Sequence, residues 1–147
     1  MKTENFPGET PPERILILDD EEYLAEALKI ILEPRYQVDT ANDGLNALEL
    51  IRAMDYDLII SDLMMPRMNG VELYGQVKRE RPGLEKRILF ISGSLDNASR
   101  EFLEAAGSLF LPKPFSIIEF LEVVNHFFTT HQLNHCPSGS HPPAAWA

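Results

Sequence analysis

A doubly wound α/β fold, (βα)5, with one five-stranded parallel sheet between two layers of helices, is predicted by two patterns along the chain. Short apolar or β-branched runs alternate five times with segments of helical spacing, the order expected of successive βα units. Four of the five runs show little polar alternation, so both faces of those strands should be covered, as in a parallel sheet. Right-handed crossovers then place helices on both faces.

The elements follow in order. Arg14 to Leu18 forms the first apolar run, and Leu24, Ala27, Leu28 and Ile31 mark the face of the first helix. Tyr36 to Thr40 reads as the second strand, with Leu45, Leu48, Ile51 and Arg52 spaced as a helix after it. Asp57 to Ser61 is the third strand, and Val71, Leu73, Tyr74 and Val77 mark the third helix. Arg87 to Ser92 is the fourth, followed by Phe102, Leu103 and Ala106 at helical spacing. Ser108 to Leu111 is the last strand, and Ile117, Phe120, Leu121 and Val124 mark the last helix. Ser116 with Glu119 three residues on is a capping-box pattern, in which each side chain satisfies a free amide at a helix start.

Composition sets the bounds on function. At 147 residues, the chain suits one domain with its own core. The hydrophobic share is 44% and the charged share 24%, ordinary values for a globular protein. A net charge of -10 with only 13 scattered basic residues argues against direct nucleic-acid binding. No apolar run approaches the ~18 residues of a membrane helix, and Met1 to Pro12 lacks a signal-peptide pattern, so a cytoplasmic protein without membrane contact is expected. A lone Cys136 fits a reducing compartment. Residues 1–12 are expected as an extended lead-in, 13–130 as the domain, and 131–147 as a flexible tail, linker or remnant, rich in Pro, Ser and Gly.

Chemistry concentrates at the carboxyl ends of the strands. Asp19 and Asp20 end the first run, Asp62 the third, Ser92 closes the fourth and Lys113 lies just past the fifth. In an open parallel sheet these ends share one crevice, where ligands bind. Clustered carboxylates repel, so either one takes up a proton or a cation sits among them. Two or three carboxylates with a backbone carbonyl and waters suit Mg²⁺. An Asp can attack phosphorus to give an aspartyl phosphate while metal, hydroxyl and Lys neutralise the phosphoryl oxygens. Asp62 is the best nucleophile because it stands alone between the paired acids and Lys113. Taken singly, each residue has a plainer reading: Asp19 or Asp20 as a helix cap, Asp62 as a turn former, Lys113 as a solvated lysine and Ser92 as a loop hydroxyl. Their shared polarity along one sheet favours the joint reading.

Four motifs carry a family resemblance: Leu18-Asp19-Asp20-Glu21, Asp62-Leu63-Met64-Met65-Pro66-Arg67-Met68-Asn69-Gly70, Ser92-Gly93 and Lys113-Pro114-Phe115. From about Arg14 to about Phe128, the chain resembles the receiver domain of two-component response regulators. The resemblance implies the flavodoxin-like strand order 2-1-3-4-5. It implies that Asp62 accepts a phosphoryl group from a phosphohistidine on a sensor histidine kinase or phosphotransfer protein. Asp20, Asp62 and the Met64 carbonyl would ligate Mg²⁺, or Mn²⁺, with Asp19 acting through a bound water. Lys113 would pair with the phosphoryl group and Ser92 would swing to bond it, opening room for Phe110 and changing the face of helix 4, strand 5 and helix 5. Phe110 also reads as ordinary strand core. Met64 and Ser94 would tune the phosphoryl lifetime. The output would pass to a downstream protein or effector domain, and a homodimer through the same face is allowed.

The chain departs from the family pattern in small ways. Ser92 stands where Thr is commoner and Gly93 where Ala is commoner. The segment from Ser92 to Lys113 is about one residue short of many receivers, and its sequence resembles receivers of hybrid sensor kinases. Two other functions compete. A Mg²⁺-dependent phosphohydrolase of haloacid dehalogenase type needs a second Asp two residues past its nucleophile, where this chain has Met64, and places its acids in a different chain order. A receiver-like scaffold working without phosphorylation would not need the full acid set and Lys113. His126, His131, His135 and Cys136 lack the spacing of a zinc module and read as solvated residues.

Overall fold

Successive strand residues point to opposite faces of a sheet, so an uninterrupted apolar strand needs cover on both sides. Ile15 and Ile17 pack into one buried cluster, and Leu16 and Leu18 into another. The computed structural model describes residues 12–65 and 67–132. Its strands are β1 (Arg14–Leu18), β2 (Gln37–Ala41), β3 (Leu58–Asp62), β4 (Ile88–Ser92) and β5 (Leu109–Pro112). Its helices are α1 (Glu22–Leu32), α2 (Gly44–Ala53), α3 (Gly70–Glu80), α4 (Asn97–Ala106) and α5 (Ile117–Gln132), with a 3-10 turn at Leu84–Arg87.

All strand pairs are parallel, in the order β2-β1-β3-β4-β5. The fold is therefore the flavodoxin-like (βα)5 arrangement expected from the sequence. α1 and α5 cover one face through Ala25, Leu28, Leu32, Phe120, Val124 and Phe127. α2, α3 and α4 cover the other through Ala47, Leu48, Ile51, Leu73, Val77 and Leu103. Every residue of β3 and β4 is buried, whereas edge strand β2 is only partly so. Fully burying each of these Leu, Ile and Phe side chains contributes about 1.5–3 kcal/mol.

Leu28, Leu48, Ile51, Leu73, Val77, Leu103, Phe120 and Val124 are buried as the helical spacing predicts, but other positions on the expected faces differ. Ala27, Leu45, Val71, Ile117 and Leu121 are exposed, and Ala25, Leu32, Ala47, Val123 and Phe127 are buried instead. Arg52 points outward and binds Glu80 with Nε to Oε1 at 2.7 Å. Strand limits shift as well: Tyr36 leaves the ladder to stack on Phe128 at 5.1 Å between ring centroids. The Ser116–Glu119 capping box is present, with the Ser116 N–H donating to Glu119 Oε1 at 2.8 Å and the Glu119 N–H to Ser116 Oγ at 3.0 Å. α5 runs two residues past the expected domain end at 130. The lead-in through Pro11, and Leu133 to Ala147 with His135 and Cys136, lie outside the described residues, as does the His131 side chain.

The loop after β3 is tied to the start of α2. Asp43 caps that helix by accepting from the Asn46 N–H at 2.9 Å and also pairs with the Arg67 guanidinium. Arg67 takes a left-handed backbone (φ 68°), and a Cβ on Gly44 would come within 2.7 Å of Met68 Cβ, so the two loops meet closely. The Asn46 N–H and Arg67 hold the Asp43 carboxyl below its ordinary 3.8. A depressed folded value means stability that is present above 3.8 and lost as pH falls through the lower folded value. Asp43→Asn keeps a good cap but no charge. Urea unfolding across pH should show the wild-type chain more stable than this variant at neutral pH, with the difference disappearing in acid.

Candidate functional site

The strand order reverses between β1 and β3, which lie side by side with Leu18 opposite Ser61. Asp19 and Asp62 therefore leave the sheet next to one another at its topological switch point, where α/β sheets bind ligands. One carboxylate oxygen each from Asp19, Asp20 and Asp62 falls within 4.8 Å of the others. Asp19 and Asp62 are buried and Asp20 is exposed.

Local turns set these side chains. Asp19 accepts from the Glu21 N–H at 2.9 Å and Asp62 accepts from the Met64 N–H at 2.9 Å, so each carboxylate is fixed by the backbone two residues on. The turn-forming role is thus present together with the clustering. Burial raises the Asp19 carboxyl, an effect opposed by the Glu21 N–H and by Lys113 and assisted by the charge of Asp62.

Lys113 enters from the end of β5, where its N–H donates to the Ser92 carbonyl at 2.8 Å. Its Nζ donates to Asp62 Oδ2 at 2.9 Å, Glu21 Oε1 at 3.1 Å and Asp19 Oδ2 at 3.2 Å. Burial would lower this ammonium, but the bonds to Asp62 and Glu21 and the charges of Asp19 and Asp62 together raise it. Glu21 is a member of the site to which the sequence assigns no role: it stands there only in the motif Leu18-Asp19-Asp20-Glu21.

Ser92 is buried, and its hydroxyl donates to the Ser94 carbonyl at 3.1 Å. Ser94 is itself exposed. Phe110 is partly buried against the cluster holding Phe90 and Leu103. The Met64 side chain is 59% exposed. His126 lies on α5, its Nε2 3.5 Å from Thr130 Oγ1.

The arrangement can hold a divalent cation and present a carboxylate oxygen to an electrophile, with an ammonium beside it. A family model described as the response regulator receiver domain matches residues 15–125. The chain belongs to this family. "Response regulator MprA" of Mycobacterium sp. (strain KMS) is 35% identical over 111 residues, covering 75% of this chain and 48% of that protein. "Transcriptional regulatory protein CusR" of Escherichia coli (strain K12) is 34% identical over 109 residues, covering 74% and 48%. The receiver thus spans about half the length of these curated relatives. Among solved structures, the CheY-like receiver domain protein of Methanospirillum hungatei JF-1 aligns with a TM-score of 0.78 at 26% identity, over 84% of this chain and 99% of that one. The chemotaxis protein CheY4 of Vibrio cholerae aligns with a TM-score of 0.72 at 27% identity, over 80% and 99%. Receivers are signalling domains. No helix among the described residues of this one is long and apolar enough to cross a membrane.

Proposed function

We propose that this receiver, spanning residues 13–130, takes a phosphoryl group onto Asp62 from a phosphohistidine on a sensor histidine kinase or a histidine phosphotransfer protein. The observation that carries the reading is Asp62 Oδ2 held 2.9 Å from Lys113 Nζ inside a three-acid cluster at the switch point. The cluster fits a divalent cation, because three convergent carboxylates facing one ammonium leave an excess of negative charge. Asp20, Asp62 and the Met64 carbonyl would hold Mg²⁺ or Mn²⁺, with Asp19 acting through a water. The ion, when bound, supplies positive charge against the phosphoryl oxygens.

An Asp62 oxygen attacks phosphorus as the P–N bond to the donor imidazole breaks, the nitrogen leaving with the electron pair. Lys113 turns one of its N–H donors to a phosphoryl oxygen. The added charge of about -1.5 to -2 draws the Ser92 hydroxyl away from the Ser94 carbonyl. Phe110 then moves into the vacated room, and the face of α4, β5 and α5 changes for a downstream protein, an effector domain or a second copy. The domain promotes only its own phosphorylation and dephosphorylation and works in the cytoplasm. The excess of acidic over basic residues (23 against 13) supports a role without direct nucleic-acid contact by this chain.

Intact mass after incubation with acetyl phosphate and Mg²⁺ tests the reading. The expected result is a gain of one phosphoryl group, about 80 Da, that is absent when a chelator is present. Phosphate release in turnover without an adduct would indicate a phosphohydrolase instead, and inertness toward acetyl phosphate and a histidine kinase alike would indicate a scaffold.

Met64 bears on the lifetime of the adduct. Its N–H binds Asp62 Oδ1 and its apolar side chain is exposed, and an apolar group two residues past the acceptor would hinder an attacking water. Met64→Asn or Met64→Glu should shorten the phosphoryl half-life several-fold, read as decay of the adduct mass after donor removal. Ser94 on the adjoining loop is the second position expected to affect that decay.

A further inference from the structure

Lys113 has three N–H donors, and three carboxylates occupy them. The three acids are not equivalent. The Asp19 side chain is 0% exposed and that of Asp62 8%, and each is fixed by a backbone N–H; the Glu21 side chain is 65% exposed. Glu21 occupies the N-cap position of α1, yet its side chain makes no capping bond. Asp19 takes the Glu21 N–H, and the Glu21 carboxylate reaches across to Lys113. Removing it leaves the ammonium held by the two buried acids and leaves the helix start intact.

We infer that Glu21 is a displaceable competitor for Lys113, which restrains phosphoryl uptake by holding the ammonium proton that an incoming phosphoryl oxygen needs and by adding negative charge at the mouth of the site. This rests on the phosphoacceptor reading above. During transfer from acetyl phosphate, an Asp62 oxygen bonds to phosphorus while the P–O bond to acetate breaks, and acetate departs with the electron pair. Lys113 stays protonated throughout. Its third N–H passes from Glu21 Oε1 to a phosphoryl oxygen, and the Glu21 carboxylate returns to water at little cost because it is already largely solvated.

The competition is electrostatic, so its effect depends on donor charge and on salt. Glu21→Gln keeps the side-chain length and removes the charge; Glu21→Ala removes the contact altogether. Both should form the adduct faster than the wild-type chain at subsaturating acetyl phosphate, by about threefold to tenfold, as expected for one partly screened charge a few ångströms from a dianion. The gain should lie in the apparent KM for the donor, with the saturated rate little changed. It should shrink as salt is raised and be smaller with phosphoramidate, which carries less negative charge at neutral pH than acetyl phosphate. A wild-type adduct together with variants that react no faster, or with a gain indifferent to salt and donor charge, would overturn the role of Glu21 alone. Absence of any adduct in the wild-type chain with acetyl phosphate and with a phosphorylated histidine kinase alike would overturn the phosphoacceptor reading and this inference with it. Urea unfolding of both variants alongside the wild type serves as the folding control.

Discussion

Asp62→Asn should form no phosphoryl adduct at any concentration of acetyl phosphate with Mg²⁺ present, while the wild-type chain is modified to high occupancy. The amide has the shape of the carboxylate, and its oxygen can still accept from the Met64 N–H, so the turn and the end of β3 are preserved. What it lacks is the anionic oxygen that attacks phosphorus. Loss of function therefore comes without loss of fold, and the variant should keep a cooperative urea transition. Removing one carboxylate also relieves the repulsion that Asp62 exerts on Asp19. The variant should consequently gain less stability from added Mg²⁺ than the wild type does. Phosphorylation persisting in Asp62→Asn would move the acceptor to Asp19 or Asp20 and reject the assignment.

Lys113→Ala should be the most destabilising single change at the site. The Lys113 side chain is 17% exposed and faces two carboxylates that are almost entirely buried. Taking away one partner of a buried ion pair leaves an uncompensated charge, a cost of about 3–5 kcal/mol. The ordinary gain from removing a desolvated ammonium is smaller than this, because Asp19 and Asp62 would both lose their counter-charge. Three signatures identify this cause. The loss should be largest in chelator at neutral pH. It should be offset in part by Mg²⁺, whose charge replaces that of the ammonium. It should also shrink at low pH, where Asp19, whose carboxyl is already raised by burial, takes up a proton. Adding Asp62→Asn to Lys113→Ala should restore part of the stability, and a double-mutant cycle by urea unfolding measures the coupling. Equal stability of Lys113→Ala and wild type in chelator would show that the ammonium is not the counter-charge of the cluster.

Much of this molecule could be read from residue order alone. Five apolar runs followed by helical spacing specify a parallel sheet covered on both faces, since chain-neighbour patterns register which strands must be buried on both sides. The ends of those runs name Asp19, Asp20, Asp62, Ser92 and Lys113, because a polar residue terminating a buried strand is visible without knowing its partners. The capping box at Ser116 and Glu119 is local and was equally legible. Tertiary structure decided the rest. In α1, apolar residues Tyr23, Leu24, Ala25, Ala27, Leu28, Ile30, Ile31 and Leu32 cover most of the helix circumference, so periodicity shows that a face exists without locating its centre. Docking on the sheet selects Ala25, Leu28 and Leu32 and leaves Tyr23 and Ile30 in solvent. The bond from Lys113 to Glu21 spans 92 positions of the chain, the Arg67–Asp43 pair 24 and the Tyr56–Asp39 hydrogen bond 17. None of these partners is marked by local spacing, because a polar side chain finds its partner only after the fold has brought distant segments side by side.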